Sequence, residues 1–137
     1  EDIEILENFY SDNNLRHQVR DFFYNFPDII NDSDLVISRS GASTISEMAI
    51  MGKACIFVPL PSAIDGDQES NAKILESSNA AIVYYQDKLK PSILAKRIEE
   101  LVCFPEKLSE LSENIKKFSN ENASLKLVNF SESLMSK

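Results

Sequence analysis

The segment from Ser38 to Glu47 combines a glycine, several hydroxyl side chains and a carboxylate within ten positions. Gly41 presents no Cβ to an approaching ligand, and we expect it to allow a tight turn of the backbone. The amide N–H groups of Ala42, Ser43 and Thr44 follow at the predicted start of a helix, where they lack intrahelical partners. Such amides, together with the helix dipole, favour an anion such as a phosphate. A single glycine remains a weak indication, because the segment has neither the P-loop nor the G-x-G-x-x-G pattern.

Glu47 has two interpretations. The spacing Thr44-x-x-Glu47 matches a capping box, in which the carboxylate accepts a hydrogen bond from the N-cap amide. In the functional interpretation, the carboxylate lies one turn from the phosphate-binding amides and accepts hydrogen bonds from two sugar hydroxyls. The spacing alone favours the capping box and leaves both interpretations open.

A second polar cluster runs from Asp65 to Asn71, after a loop that contains two prolines. The simplest interpretation is that Asp65 or Asp67 caps the next helix. The acidic spacing lacks the later glutamate of an EF-hand loop, so we expect no metal site. Gln68, in the first turn of that helix, is placed to bind a neutral polar ligand such as a sugar hydroxyl.

Composition excludes several other classes of function. The 137 residues include 14 Lys plus Arg and 22 Asp plus Glu, a net charge of −8, which argues against nucleic acids and anionic membranes. His17, the one histidine, has no partner motif, so we expect a surface or strand-edge imidazole rather than a catalytic or zinc-binding one. Cys55 and Cys103 lack metal-ligand spacing and are expected to be reduced structural thiols in a cytosolic protein.

The elements that must position these residues alternate between helices and strands. The predicted helices cover 3–10, 27–32, 44–51, 67–78, 91–103, a segment from Pro105 onward and 120–135, and the predicted strands cover 15–19, 35–38, 54–58 and 81–85. Short apolar strands separated by helices predict an α/β fold with a doubly wound parallel sheet. Ligands bind beyond the carboxyl ends of the strands in such folds, which selects the loops 20–27, 38–44 and 59–68.

Taken together, these residues resemble the C-terminal domain of the MurG family of bacterial N-acetylglucosaminyltransferases. The resemblance lies in DLVISRSGASTISE at 34–47, Gly-Lys at 52–53, Val-Pro at 58–59 and DQESNA at 67–72, with order and spacing kept over 18–104. It implies the Rossmann-like C-terminal half of a GT-B glycosyltransferase that binds UDP-N-acetylglucosamine (UDP-GlcNAc). It further implies an inverting transfer of GlcNAc, without metal or other cofactor, to the undecaprenyl-diphosphate-linked muramyl pentapeptide.

The resemblance assigns roles within the glycine-containing segment. It implies that the amides of residues 42–44 hold the diphosphate, and that Ile45 and Ser46 belong to the same donor-binding segment. Glu47 would bind the ribose hydroxyls. Arg39 is expected to be either structural or directed at a phosphate.

The base and the sugar are assigned to other segments. The resemblance implies that the backbone of Phe23 contacts the uracil edge, that Phe26 lies against the ring, and that Gln68 contacts the GlcNAc hydroxyls. The chain departs from the family at Asp67, where His or Gln is common. The aspartate adds negative charge near the sugar.

The resemblance also predicts how the domain is divided. Residues 1–137 would form one partial domain with a helical tail over 105–137, while the acceptor domain, the general base and the first donor-domain strand lie upstream. We therefore expect no catalytic residue in this chain and no turnover by it alone. The longer protein would sit on the cytoplasmic face of the inner membrane, whereas the piece itself is soluble. Two alternatives remain: a donor-binding subunit of a split GlcNAc transferase, and a non-catalytic nucleotide-binding α/β domain in which Glu47→Ala changes stability but not affinity.

Overall fold

A computed structural model describes residues 2–62 and 66–119. The elements in chain order are α1 (Asp2–Asp12), α2 (Phe26–Asn31), β1 (Val36–Ser38), α3 (Ala42–Met51), β2 (Cys55–Phe57), α4 (Asp67–Ser77), β3 (Ile82–Val83), α5 (Pro91–Cys103) and α6 (Pro105–Lys116). The predicted helices that fall within the described residues are confirmed, and so are three of the four predicted strands, each of which is shorter than predicted. The helix predicted over 120–135 lies outside the described residues.

The three strands form one parallel sheet in the order β1-β2-β3. Val36 pairs with Cys55 in the first ladder, and Ile56 pairs with Ile82 in the second. Helix α3 connects β1 to β2, and α4 connects β2 to β3, as parallel pairing requires. The predicted α/β class is therefore confirmed, and the carboxyl ends of the strands share one edge of the sheet.

The hydrophobic core surrounds the central strand. All three residues of β2 are buried because strands and helices cover both its edges and its faces, which explains its continuous apolar run. The largest fully buried side chains come from β2 and the helices around it: Phe57, Met48, Ile56, Leu75, Leu101 and Ile115. This packed core therefore supports the carboxyl ends of the strands, where the candidate site lies.

Helices α5 and α6 are joined by a small ion cluster. Glu100 accepts hydrogen bonds from Arg97, at 2.8 Å, and from Lys107. The bond from Lys107, with the nearby Arg97 charge, holds the pKa of the Glu100 carboxyl below its ordinary value. Because the partners are about one-third exposed, we expect this cluster to be sensitive to salt.

The strand predicted over 15–19 is wrong, since this segment has no regular secondary structure. A strand needs a neighbour to complete its hydrogen-bond ladder, and the described residues provide none beside this segment. The segment is held against α1 instead, where the rings of Tyr10 and His17 stack at 5.2 Å. His17 is exposed, and its Nδ1 lies 2.7 Å from the carbonyl oxygen of Leu15, so the prediction of a surface imidazole is confirmed.

Candidate functional site

The amino end of α3 lies at the carboxyl edge of the sheet, shortly after β1. Gly41 is its N-cap, and the amide of Ile45 donates to the Gly41 carbonyl at 3.0 Å. The three amides before it, from residues 42–44, donate to no acceptor within residues 2–62 and 66–119. The predicted anion site therefore consists of three consecutive backbone donors that face away from the helix.

The structure corrects the role expected for Gly41. Its φ of −65° and ψ of 148° are an extended conformation that any residue adopts, so no tight turn requires a glycine here. A Cβ at this position would meet only Thr44 Oγ1, at 3.9 Å. A small side chain would therefore fit at this position.

The capping-box interpretation of Glu47 is wrong. The helix begins at Ala42, two residues before the predicted start, so Thr44 lies inside the first turn and is not the N-cap. No side chain caps α3. Glu47 is exposed and lies one turn from Ser43, which corresponds to about 6 Å along the helix axis at 1.5 Å per residue. Its carboxylate is therefore unoccupied by capping and lies on the helix side that carries Ser43.

The two faces of α3 divide the predicted donor-binding residues. Met48 and Ala49 are buried, and Ile45 packs against the same core cluster. Since the Ile45 amide is already bonded to Gly41, its contribution is to anchor the helix. Ser46 is exposed beside Glu47.

Arg39 joins the loops that follow β1 and β2. Its Nη1 donates to the carbonyl oxygens of Val58, at 2.9 Å, and Pro59, at 3.2 Å. Of the two roles expected for Arg39, the structure supports the structural one. The guanidinium satisfies backbone carbonyls at the end of the central strand and fixes one loop to the other.

Gln68 lies in the first turn of α4, and its side chain is also tied to the loop after β2. Its Oε1 accepts a hydrogen bond from the Leu60 amide at 3.0 Å, and its backbone carbonyl accepts one from Ser40 Oγ at 2.8 Å. Asp67 is the first helical residue, after the N-cap Gly66, so it does not cap α4. Asp65 lies outside the described residues.

The two predicted base-binding residues lie in a different segment. Phe23 is half-buried, and Phe26 begins α2 with its side chain exposed. Phe23 belongs to residues 18–25, which with Ile3 of α1 line a cleft of about 600 Å³. None of the residues from Ala42 to Glu47 lines that cleft. The structure thus brings Gln68 close to the α3 loop through Ser40, and places Phe23 in a separate cleft.

Three further findings concern the described residues. No group of three or more His, Cys, Asp or Glu side chains within residues 2–62 and 66–119 is arranged to hold a metal ion. In the same part of the chain, no helix has the length and apolar character needed to cross a membrane. Burial raises the pKa of the Cys55 thiol to about 12, so this cysteine is a protonated core residue rather than a nucleophile.

Comparison with known proteins decides the family. The sequence model of the glycosyltransferase family 28 C-terminal domain matches residues 1–127. The chain belongs to this family.

Individual relatives of this family 28 domain agree with that assignment. This chain is 40% identical over 130 residues to the UDP-N-acetylglucosamine--N-acetylmuramyl-(pentapeptide) pyrophosphoryl-undecaprenol N-acetylglucosamine transferase of Rickettsia bellii. The matched region covers 95% of this chain and 36% of the Rickettsia protein. The protein of the same name from Chelativorans sp. is 36% identical over 136 residues. The matched region covers 99% of this chain and 36% of the Chelativorans protein. The family 28 domain therefore spans about a third of the length of these curated relatives.

A solved structure shows the same fold. The crystal structure of Acinetobacter baumannii MurG superposes with a TM-score of 0.85 at 30% sequence identity, covering 97% of this chain and 40% of that one. The parallel α/β fold of this family 28 domain is accordingly that of the C-terminal GT-B domain of MurG.

Sequence reasoning missed two organising residues of this family 28 domain. Ser40 is buried between α3 and α4, and Asn71 Nδ2 donates to the Ser40 carbonyl at 3.4 Å. The available indication was their polarity beside apolar segments, which requires a hydrogen-bond partner once the residue is buried. The identity of that partner follows only from the fold.

Proposed function

We propose that this chain is the donor-binding part of an N-acetylglucosaminyltransferase and that its ligand is UDP-GlcNAc. The longer protein transfers GlcNAc to the undecaprenyl-diphosphate-linked muramyl pentapeptide, the reaction named in its Rickettsia and Chelativorans relatives. One observation carries the proposal: three consecutive amides at the start of α3 have no acceptor in the described part of the chain. An exposed carboxylate, Glu47, follows one turn later.

The diphosphate is held by backbone donors in this proposal. The amides of residues 42–44 point at the anion, and the helix dipole adds positive potential there. Arg39 supplies no phosphate contact through Nη1, which is bonded to two carbonyls. The net charge of −8 repels the phosphates at long range. The neutral amides therefore have to bind the diphosphate against that repulsion.

The ribose is recognised by Glu47. A carboxylate accepts two hydrogen bonds at once, which suits the two adjacent hydroxyls of a ribose. Ser43 and Ser46 border the same exposed side of α3. The packing of Ile45 against the core fixes the direction of the helix that carries these groups.

The base and the sugar occupy the ends of the donor. The backbone of Phe23 contacts the uracil edge and Phe26 lies against the ring, while Gln68 contacts the GlcNAc hydroxyls. With Oε1 of Gln68 bonded to Leu60, its Nε2 is the group that donates to the sugar. The exposed carboxylate of Asp67 adds negative charge beside that position.

The remaining functions belong to the longer protein. We propose that residues 1–137 form a partial domain, and that the acceptor site, the general base and the first donor-domain strand lie upstream. This chain then binds the donor without catalysing transfer. The longer protein associates with the cytoplasmic face of the inner membrane.

A calorimetric titration of the purified, folded chain tests this proposal. We expect saturable binding of UDP and UDP-GlcNAc, with weaker binding of UMP, which lacks the second phosphate, and of GDP, which carries the wrong base. A folded chain that binds neither UDP nor UDP-GlcNAc would overturn the assignment.

Ala42→Pro tests the amides themselves. Proline is favoured at the first helical position, and the extended Gly41 before it suits a following proline, so the helix is kept. The substitution deletes one N–H donor to the diphosphate, and we expect UDP affinity to fall roughly tenfold, as for loss of a charge-assisted hydrogen bond. Ala42→Ser, which retains the N–H, is the matched control and is expected to bind like the unaltered chain.

A further inference from the structure

Ser40 occupies an unusual position between the two helices that form the candidate site. Among residues 2–62 and 66–119 it is the only polar or charged residue that is buried, with 0% of its surface exposed. It lies between Arg39 and Gly41, directly before the amides of α3. A buried hydroxyl at this point must be satisfied by the protein and is not available to a ligand.

The hydrogen bonds of Ser40 lead to α4. Its Oγ donates to the backbone carbonyl of Gln68 at 2.8 Å, and its own carbonyl accepts from Asn71 Nδ2 at 3.4 Å. These two bonds span one turn of α4, so they fix both the position and the rotation of its first turns relative to the α3 loop.

Gln68 is consequently held at two points. Ser40 bonds its backbone, and the Leu60 amide bonds its side-chain Oε1 at 3.0 Å. An N–H group needs an acceptor, so the side-chain oxygen must face Leu60 and the Nε2 must face the other way. The direction of the Nε2 donor is therefore set by groups that touch no ligand.

We propose that Ser40 is a positioning residue for the sugar-binding amide of Gln68, and that preference for the nucleotide sugar over the free nucleotide depends on its buried hydroxyl. This inference rests on the proposed function of the site. Ser40 acts on α4, whereas the phosphate amides belong to α3, so its removal affects the sugar end of the donor more than the diphosphate end.

Ser40→Ala is the test, with UDP-GlcNAc and UDP titrated separately. The Gln68 carbonyl belongs to the first turn of α4 and keeps its place in the helix, so we expect the variant to fold. The dissociation constant for UDP-GlcNAc should rise about three- to tenfold, the range for one hydrogen bond, while that for UDP changes less than about twofold. In a Gln68→Ala background, Ser40→Ala should have no further effect on UDP-GlcNAc, because the positioned group is gone.

Ser33→Ala is the matched control. Ser33 Oγ donates to the backbone carbonyl of Ile29 at 2.7 Å, a bond of the same kind in the segment between α2 and β1. This variant should bind both ligands like the unaltered chain. An equal loss of UDP and UDP-GlcNAc affinity in Ser40→Ala, or a loss that persists without the Gln68 side chain, would overturn the proposal.

Hydrogen exchange separates this inference from the proposed function. The Leu60 amide is bonded to the Gln68 side chain, so its exchange should accelerate in Ser40→Ala even without nucleotide. If the unaltered chain bound no nucleotide, the proposed function would fail while this measurement still tested the positioning. Exchange of Leu60 at an unchanged rate in Ser40→Ala would refute the positioning role whatever the nucleotides do.

Discussion

Replacing Glu47 by glutamine tests the centre of the proposed donor site. The substitution keeps the size and shape of the side chain and removes one negative charge. Glu47 is exposed and lies beyond the first turn of α3, which has no side-chain cap. The change should therefore leave the free energy of unfolding almost unaltered and act on the ligand alone.

The size of the effect follows from two opposing contributions. A hydrogen bond to a charged acceptor exceeds a neutral one by about 1 kcal/mol, so two ribose hydroxyls lose about 2 kcal/mol together. The lost charge also repelled the diphosphate. At roughly 7 Å in water that repulsion is ~0.6 kcal/mol per phosphate charge, and screening at about 0.15 M salt reduces it to ~0.25, so the two charges of the diphosphate contribute ~0.5 kcal/mol in the opposite direction. The net loss is about 1.5 kcal/mol, which weakens UDP binding roughly tenfold.

The assay is calorimetric titration with UDP at fixed ionic strength, accompanied by thermal unfolding of each variant. Glu76→Gln is the matched control, because Glu76 is also an exposed helical glutamate and the net charge changes equally. It should bind UDP like the unaltered chain. Glu47→Ala should weaken UDP binding further and keep or slightly raise Tm, since alanine is the better helix former.

Two results would refute this reasoning. Equal UDP affinity in Glu47→Gln and in the unaltered chain would exclude a ribose contact by this carboxylate. A large fall in Tm for Glu47→Ala, with affinity unchanged, would instead support a non-catalytic domain in which the residue is structural.

Three further predictions concern the scaffold. Burial raises the pKa of the Cys55 thiol from its ordinary value of 9.0 to about 12. Between these two pH values unfolding releases the thiol proton, so the free energy of unfolding should fall by up to ~1.4 kcal/mol per pH unit. Cys55→Ala should abolish that slope in pH-dependent denaturation, and a thiol reagent should label only the exposed Cys103 in the native chain. Gly52 caps α3 at φ 62°, so Gly52→Ala should lower the unfolding free energy by about 1–2 kcal/mol in chemical denaturation, and an unchanged midpoint would contradict this. Lys107 lowers the pKa of the Glu100 carboxyl. The ionised carboxylate therefore stabilises the fold at pH values above its ordinary pKa, and this contribution is lost as the pH falls through the lowered pKa. Glu100→Gln should therefore lower Tm slightly at neutral pH, less in molar salt and not at all in acid. A change in Tm that depends on neither salt nor pH would exclude an electrostatic origin.

The order of helices and strands could be predicted because it depends on local patterns. The run from Cys55 to Phe57 is apolar at every position, as a strand covered on both faces requires. The segment 15–19 has the composition of a strand but not its structure, since pairing depends on a neighbour that no local pattern reveals. Sequence patterns thus identified potential elements, while tertiary contacts decided which of them formed.

The contacts that organise the site could not be predicted for a related reason. Ser40 bonds to a carbonyl 28 positions away, and Arg39 bonds to carbonyls 19 and 20 positions away. Each acceptor is a backbone group, which every residue has, so the sequence gives no indication of the partner. Only the parallel arrangement of β1 and β2 brings these loops together.

The way each helix begins bears on the proposed anion site of α3. Sequence rules assign a helix start to a side chain that caps the first amides or to a proline that removes one of them. Helices α2, α5 and α6 follow the second rule, with proline at one of their first two positions. Helices α3 and α4 follow neither rule, because each begins after a glycine and has no side-chain cap. A helix that must present its first amides to an anion cannot use a cap or a proline without losing donors. The uncapped start of α3 therefore leaves its first amides available to a phosphate, although α4 shares this feature, so the start alone does not identify the site. Ala42→Pro, which places a proline at the first helical position, should preserve the helix and weaken binding of the ligand.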